Sequence, residues 1–189
     1  KILDLLFNPK KYSQDVLKIK DTLTEATISL WDQVRKKLLP TPTKFHYVFN
    51  IRELSRVFGG ISVAAEHSIQ YKVIQNAVGA PSKMKSDQYL VGLWRHECER
   101  VFEDKLLNSE DKKVFHDFLD KVTIEKFKDA LDVSEEEVCS NMIFCDFQRD
   151  DVVNEYGDIE ETAPFVYEAC PSIESVRKIV IQRLELYNE

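Results

Sequence analysis

Arg52 and Arg56 stand four residues apart in the run Asn50-Ile51-Arg52-Glu53-Leu54-Ser55-Arg56, the spacing that places two side chains on one helical face. Paired guanidiniums can meet phosphate oxygens through forked, charge-assisted hydrogen bonds. Periodicity alone reads the same pair as a solvated face, or as ion-pair partners of Glu53 or another surface carboxylate. Gly79-Ala80-Pro81-Ser82-Lys83 superficially resembles a phosphate loop, but it lacks the second glycine and the Lys-Ser/Thr pair. Neither G-x-x-x-x-G-K-[ST] nor G-x-G-x-x-G occurs, so this chain by itself is not expected to cradle a triphosphate in the P-loop way. His96 and Cys98, with Cys139 and Cys145, are zinc ligands by type only: their spacing fits no common site, and His96-x-Cys98 on a helix splays the two side chains apart. No metal is expected. No nucleophile elbow is visible, and a hydrolase using His96 or Cys98 is the weakest reading of the chain.

The arginines need an element to present them. Asn50 can accept from the first free amides of a helix, and Glu53 can reach back to it as in a capping box. A short helix is expected from Ile51, burying Ile51, Leu54 and Phe58, with Gly59 and Gly60 permitting a chain reversal. Before it, Leu23, Ala26, Leu30, Val34 and Leu38 recur at three- and four-residue spacing, one face of a first long helix that Ser13 caps and that Pro40 and Pro42 stop. Lys44 to Phe49 reads as an extended link with Phe45, Tyr47 and Phe49 alternating, one aromatic edge turned inward. Beyond Gly60 the pattern is helical from Ile61 to Val78, followed by a surface loop from Gly79 to Ser86.

Ser86 or Asp87 caps the next helix, whose stripe is Leu90, Leu93, Trp94, Val101 and Phe102, with Arg95, Glu99, Arg100 and Glu103 on its more exposed side. Ser109 opens another helix carrying Val114, Phe115, Phe118, Leu119 and Val122. Ser134 with Glu137 makes a second capping box, and 142–147 is open between helix and short strand. The acidic stretch from Asp150 to Glu161 reads as a solvated loop, after which Ser172 caps a last helix with Ile173, Val176, Ile179, Val180 and Leu184. Trp31, Trp94 and the phenylalanines fall at helix-core spacing, which favours packing over base stacking. The fold class is therefore all-α, a helical bundle with room for a short strand near 142–147.

The 189 residues suffice for a core. Their net charge of −7 is spread with both signs interleaved, so no basic field invites nucleic acid or an acidic membrane surface. No apolar run of about 18 residues exists to cross a membrane as a helix, and Lys1 to Leu6 lack the features of a secretory signal. Cys98, Cys139, Cys145 and Cys170 form no C-x-x-C pair and read as reduced thiols of a cytosolic protein. A first residue other than Met, with a helical pattern running to the end, leads us to expect a piece of a longer chain.

The segment Leu38 to Phe58, LLPTPTKFHYVFNIRELSRVF, resembles the dynein heavy chain family, whose third AAA+ module carries a similar proline-broken LLPTP and then K-x-H-Y-x-F-N-x-R-[DE]-x-S-R in its small helical domain. Leu93 to Phe102 and Asp104-Lys105-Leu106 resemble the family's L-[WF]-x-H-E-x-x-R-V-x-x-D-[KR] helix, in the right order. Tyr167-Glu168, Pro171-Ser172-Ile173 and Tyr187-Asn188-Glu189 are similar to the tail of axonemal outer-arm heavy chains. The likeness runs from about Thr22 to the end, weakly over 63–85 and 126–138, and departs from the family at Gly59 and around 79–86.

The resemblance implies an AAA+ lid with a C-terminal helical extension. It divides the chain into 1–60, the first lid helices with a sensor-2-like helix; 61–148, remaining lid helices and extension; and 149–189, an acidic linker and helix leading to the next module. It places Arg52 at the lid arginine called sensor 2, with Arg56 as its neighbour, and it implies ATP or ADP with Mg bound mainly by residues outside this chain. The fragment would be non-catalytic, a part of an ATP-hydrolysing microtubule motor of the cytoplasm and the ciliary or flagellar axoneme. Its partners would be neighbouring AAA+ large domains, with microtubules and accessory chains reached only through the whole protein, and neither nucleic acid nor membrane. The residues alone also allow a free-standing helical protein-interaction module.

Overall fold

The computed structural model describes residues 14–71, 86–156, 158–170 and 172–188. The expectations placed on Ser13, on 72–78 and on the Gly79–Lys83 loop lie outside these residues. Among the described residues the chain forms six α-helices, one 3-10 turn and two small strand pairs, in two compact units: Lys1–Ser62 with Met84–Asn141, and Val63–Lys83 with Met142–Glu189.

The first unit is helical. Helix α1 (Gln14–Lys37) ends with Arg35, Lys36 and Lys37 in its last turn, the charge sign that suits a helix C-terminus, and Pro40 keeps the residue before it out of the helical region. Its predicted face is its buried face: Leu23, Ala26, Leu30 and Val34 are fully enclosed and Leu38 nearly so. That face packs on α3 (Ser86–Phe102) and α4 (Ser109–Leu131). Trp94 of α3 lies at the centre. Its ring is tilted against Phe127 at 5.2 Å between centroids, and its indole N–H donates to the Thr27 hydroxyl at 2.9 Å. Thr27 in turn donates to the Leu23 carbonyl, so the buried polar atoms are paired, as burial requires. Phe49, Phe102 and Phe115 continue the core, each ring within about 6 Å of the next; burying a side chain of this size contributes about 1.5–3 kcal/mol.

Helix α4 is capped by Asn108, whose carboxamide accepts from the Asp111 amide, one residue ahead of the expected Ser109. The short α5 (Glu135–Val138) has the predicted capping box, Ser134 and Glu137 each bonded to the other's backbone.

Helix α2 (Ile51–Tyr71) corrects the sequence reading in two ways. It runs straight through Gly59 and Gly60, with no chain reversal and no second helix starting at Ile61. Its buried positions are Glu53, Val57 and Ile61, then Ala64 and Ala65, while Ile51 is 70 % exposed and Leu54 and Phe58 are half-buried. The reason lies at Gly60: a Cβ built there would come within 1.9 Å of the Glu97 carboxylate. The glycine is a site of close approach, and a helix interior tolerates it at a cost of about 1 kcal/mol.

In the second unit, β1 (Phe144–Cys145) pairs antiparallel with β4 (Glu168–Ala169), so 142–147 contains a short strand. Arg149 forks onto the buried Glu168 carboxylate at 2.9 and 3.1 Å. The acidic stretch is not a plain loop: β2 (Val152–Val153) and β3 (Ile159–Glu161) pair across a turn whose Asn154 carboxamide accepts from the amides of Tyr156 and Asp158. Asx chemistry of this kind makes a turn where composition suggests only solvation. Helix α6 (Ile173–Asn188) starts with Ser172 accepting from the Ser175 amide. Its apolar stripe is largely uncovered, with Ile173, Val180, Ile181, Leu184 and Tyr187 all exposed.

Candidate functional site

Residues 38–50 deliver α2 through successive turns, closed by the amides of Lys44, Tyr47 and Val48 donating to the carbonyls of Thr41, Lys44 and His46. Tyr47 and Phe49 point inward and Phe45 is 76 % exposed, so the expected aromatic edge exists but excludes Phe45. At its end the Asn50 side chain accepts from the Arg52 amide at 2.9 Å, and the Asn50 amide donates to the Glu53 carboxylate at 2.9 Å. This is the predicted cap.

Glu53 does more than cap. It is almost fully buried and also accepts from the Lys105 ammonium of the 3-10 turn Glu103–Lys105. Burial pushes its carboxyl pKa up, but the Lys105 hydrogen bond and charge, with the Asn50 amide, outweigh that and hold it below the ordinary value. The Lys105 carbonyl lies 3.0 Å from the His46 ring nitrogen. A second clamp sits nearby in the chain: Asp111 accepts from Lys44 at 2.5 Å and from the Tyr47 hydroxyl at 2.8 Å, and that hydroxyl accepts from the Leu107 amide at 2.9 Å. The Lys44 hydrogen bond dominates in keeping the Asp111 carboxyl low. The link and the first turn of α2 are thus tied to the segment between α3 and α4 and to the first turn of α4.

The structure places Arg52 and Arg56 on the surface of the first turns of α2. Arg56 approaches Glu53 at 3.9 Å while its side chain stays 63 % exposed, a contact of little energetic weight. Arg52 is a cation in a first turn, where the helix dipole favours an anion; its charge is a small local cost to the helix. Two exposed guanidiniums fit the outer oxygens of a phosphate. Among the described residues no group of three or more His, Cys, Asp or Glu could hold a metal ion.

In the stretch of chain that leads into the arginines, the large apolar side chains of Leu39, Phe45, Val48 and Ile51 are all exposed. The family signature of the AAA+ lid domain matches residues 23–141. The chain belongs to the AAA+ lid domain family. This lid is 36 % identical over 154 residues, 81 % of its length, to the dynein gamma chain of the flagellar outer arm from Chlamydomonas reinhardtii. It is 31 % identical over 178 residues, 94 % of its length, to human dynein axonemal heavy chain 10, and 32 % identical over 179 residues, again 94 %, to the ciliary dynein beta chain of Tripneustes gratilla. The lid spans about 3 % of the length of each of these relatives. Its likeness to dynein heavy chains therefore extends well beyond the motifs around Arg52 and Trp94.

Sequence reasoning misplaced Arg95. The lid buries it to 2 % exposure, its guanidinium donating to Thr123 at 2.8 Å and to Asp120 at 2.7 Å. Glu97 is fully buried as well and accepts from Arg100 at 2.6 and 3.0 Å. Only part of the signal was in the sequence, where Val91, Arg95, Cys98 and Phe102 share one helical face; that α3 is buried on nearly every side, so that its charged residues cannot all face water, is decided by the packing. Burial also pushes the Cys98 thiol pKa well up and the His96 pKa down. A nucleophilic cysteine needs the opposite shift.

Proposed function

We propose that this lid works in the third AAA+ module of an axonemal outer-arm dynein heavy chain. There it covers nucleotide held by the adjoining large domain and passes that domain's state around the ring. In this reading Arg52 is the sensor-2-like contact to the terminal phosphate and Arg56 an auxiliary one. The observation that carries it is the exposure of both arginines on a capped and tethered helix start, just after exposed Phe45, Val48 and Ile51 in the chain. Exposed apolar side chains close in sequence to exposed positive charge suit a surface that a second domain covers, where a guanidinium in a drier setting holds phosphate more strongly than in water.

ATP or ADP with Mg would be bound mainly by the large domain, whose P-loop supplies the catalytic chemistry; this chain's residues orient and stabilise the phosphate end. Loss of the terminal phosphate would remove the anion that favours the closed lid, so the lid moves with hydrolysis. The whole heavy chain would be an ATP-hydrolysing motor acting on microtubules in the axoneme, while the isolated lid has no ATPase activity. The names of the axonemal, flagellar and ciliary relatives support this setting.

The test is the affinity of a fluorescent ATP analogue for the large domain and lid expressed together. Arg52→Ala is expected to weaken binding on the order of tenfold, about 1.4 kcal/mol, and Arg56→Ala by less, with unchanged circular dichroism. Affinity within twofold of the parent for Arg52→Ala would overturn the assignment.

A further inference from the structure

The second unit holds two thiols that none of the functional reading uses. Cys145 is the last residue of β1 and Cys170 follows β4, and both are buried. Cys145 lies opposite Glu168, while the Cys170 amide donates to the Ile143 carbonyl at 2.7 Å. Ile143, just ahead of β1, and Cys145 are two apart in an extended run, as are Glu168 and Cys170, so Cys145 and Cys170 are diagonal neighbours across the pair. Their sulfurs are 3.2 Å apart, hydrogen-bonded as free thiols. A disulfide needs about 2.05 Å, an approach of roughly one ångström. Cys98 and Cys139 have no such thiol partner among the described residues.

We propose that Cys145 and Cys170 form a reversible dithiol–disulfide site whose oxidant is a low-molecular-weight disulfide of the glutathione type. One cysteine thiolate attacks the small disulfide, making a protein–glutathione mixed disulfide and releasing one glutathione. The second thiol gives up its proton and attacks the protein sulfur of that mixed disulfide, releasing the second glutathione. Two electrons pass from the cysteine pair to the small disulfide, and the two protons leave on the two glutathiones. The bond ties β1 to β4 and closes the base of the excursion that carries the exposed β2–β3 hairpin.

Burial, followed by the hydrogen bond to Cys145, raises the Cys170 thiol well above its ordinary value, so it is protonated at neutral pH. The pair therefore stays reduced in a reducing compartment and reacts slowly, faster as pH rises.

The test is exposure of the 189-residue chain to glutathione disulfide at pH 8, followed by non-reducing digestion and mass spectrometry, with a parallel sample in 8 M urea. Under native conditions the Cys145–Cys170 cross-linked peptide is expected to exceed all other pairings at least tenfold. In urea the four cysteines should pair among the three available connectivities without that preference. A native preference no greater than that in urea, or native oxidation that stops at mixed disulfides on Cys139, would overturn the proposal. Cys145→Ser and Cys170→Ser should each abolish the intramolecular product, and Cys98→Ser and Cys139→Ser should leave it. The wild-type ratio decides the matter even if a variant fails to fold.

Discussion

Two sets of arginines in the first unit are used in opposite ways. Arg95, in the middle of α3, has given up water and is held by Thr123 and Asp120; Arg52 and Arg56, at the start of α2, keep theirs. A buried guanidinium without its partners is costly, so Arg95 fixes the packing of α3 on α4 and has no freedom to act on a ligand. The exposed pair contributes almost nothing to the fold and is free to meet an anion. The buried arginine and the pair proposed to meet phosphate are thus told apart by what surrounds them, since the residue type is the same.

The sharpest way to break this contrast is Arg95→Ala. It removes the charge-assisted hydrogen bonds to Thr123, Asp120 and Asn141 and leaves a void in a helix buried on nearly all sides, so it should destabilise the chain by about 3 kcal/mol in urea unfolding; a loss under 1 kcal/mol would mean that the site is wetter than it looks. The adjacent glycines give the next largest effect and a difference in sign. Gly60→Ala forces a methyl group into the buried Glu97 carboxylate and should cost about 2 kcal/mol. At Gly59 an added Cβ meets nothing within 4 Å, so Gly59→Ala should raise stability by about 0.5–1 kcal/mol through helix propensity. Equal effects at the two positions would contradict the observed register of α2.

Acid should loosen the presentation of the exposed pair before it disrupts the core. Glu53 and Asp111 both have carboxyl pKa values lowered by folding. Their stabilisation is therefore present above the unfolded values, about 4, and is lost as pH falls through the lower folded values. A pH series of Tm should fall below about pH 4, and Lys105→Met, which removes the cation on Glu53, should flatten part of that fall. Glu99 runs the other way. Burial, the largest influence, raises its carboxyl pKa, and Oε1 lacks a partner, so its contribution is present below the unfolded value and lost as pH rises. Glu99→Gln should then gain about 1 kcal/mol at pH 7, a Tm rise of about 2–4 °C. The smallest effect expected is that of Arg52→Ala on the fold itself, within about 0.5 kcal/mol, in contrast with its effect on nucleotide affinity.

The first helix, its stop before Pro40, the Asn50 and Ser134 caps, and the motif that carries Arg52 were legible because each rests on local chemistry: spacing, proline sterics and side chains that bond their own backbone. Family membership was legible for the same reason, since the motifs lie in unbroken runs. What the sequence could not disclose was decided between elements. The α2 register turned on Gly60 meeting Glu97, a residue on another helix; Arg95 was claimed by Thr123 and Asp120 of α4; and Glu53 was completed by Lys105, fifty-two positions away. The exposed stripe of α6 makes the same point in reverse, because a helical period announces an apolar face but not whether anything covers it. A period of 3.6 residues orders the faces of one helix, and only the neighbours that pack against those faces determine which charges are buried, paired or left free.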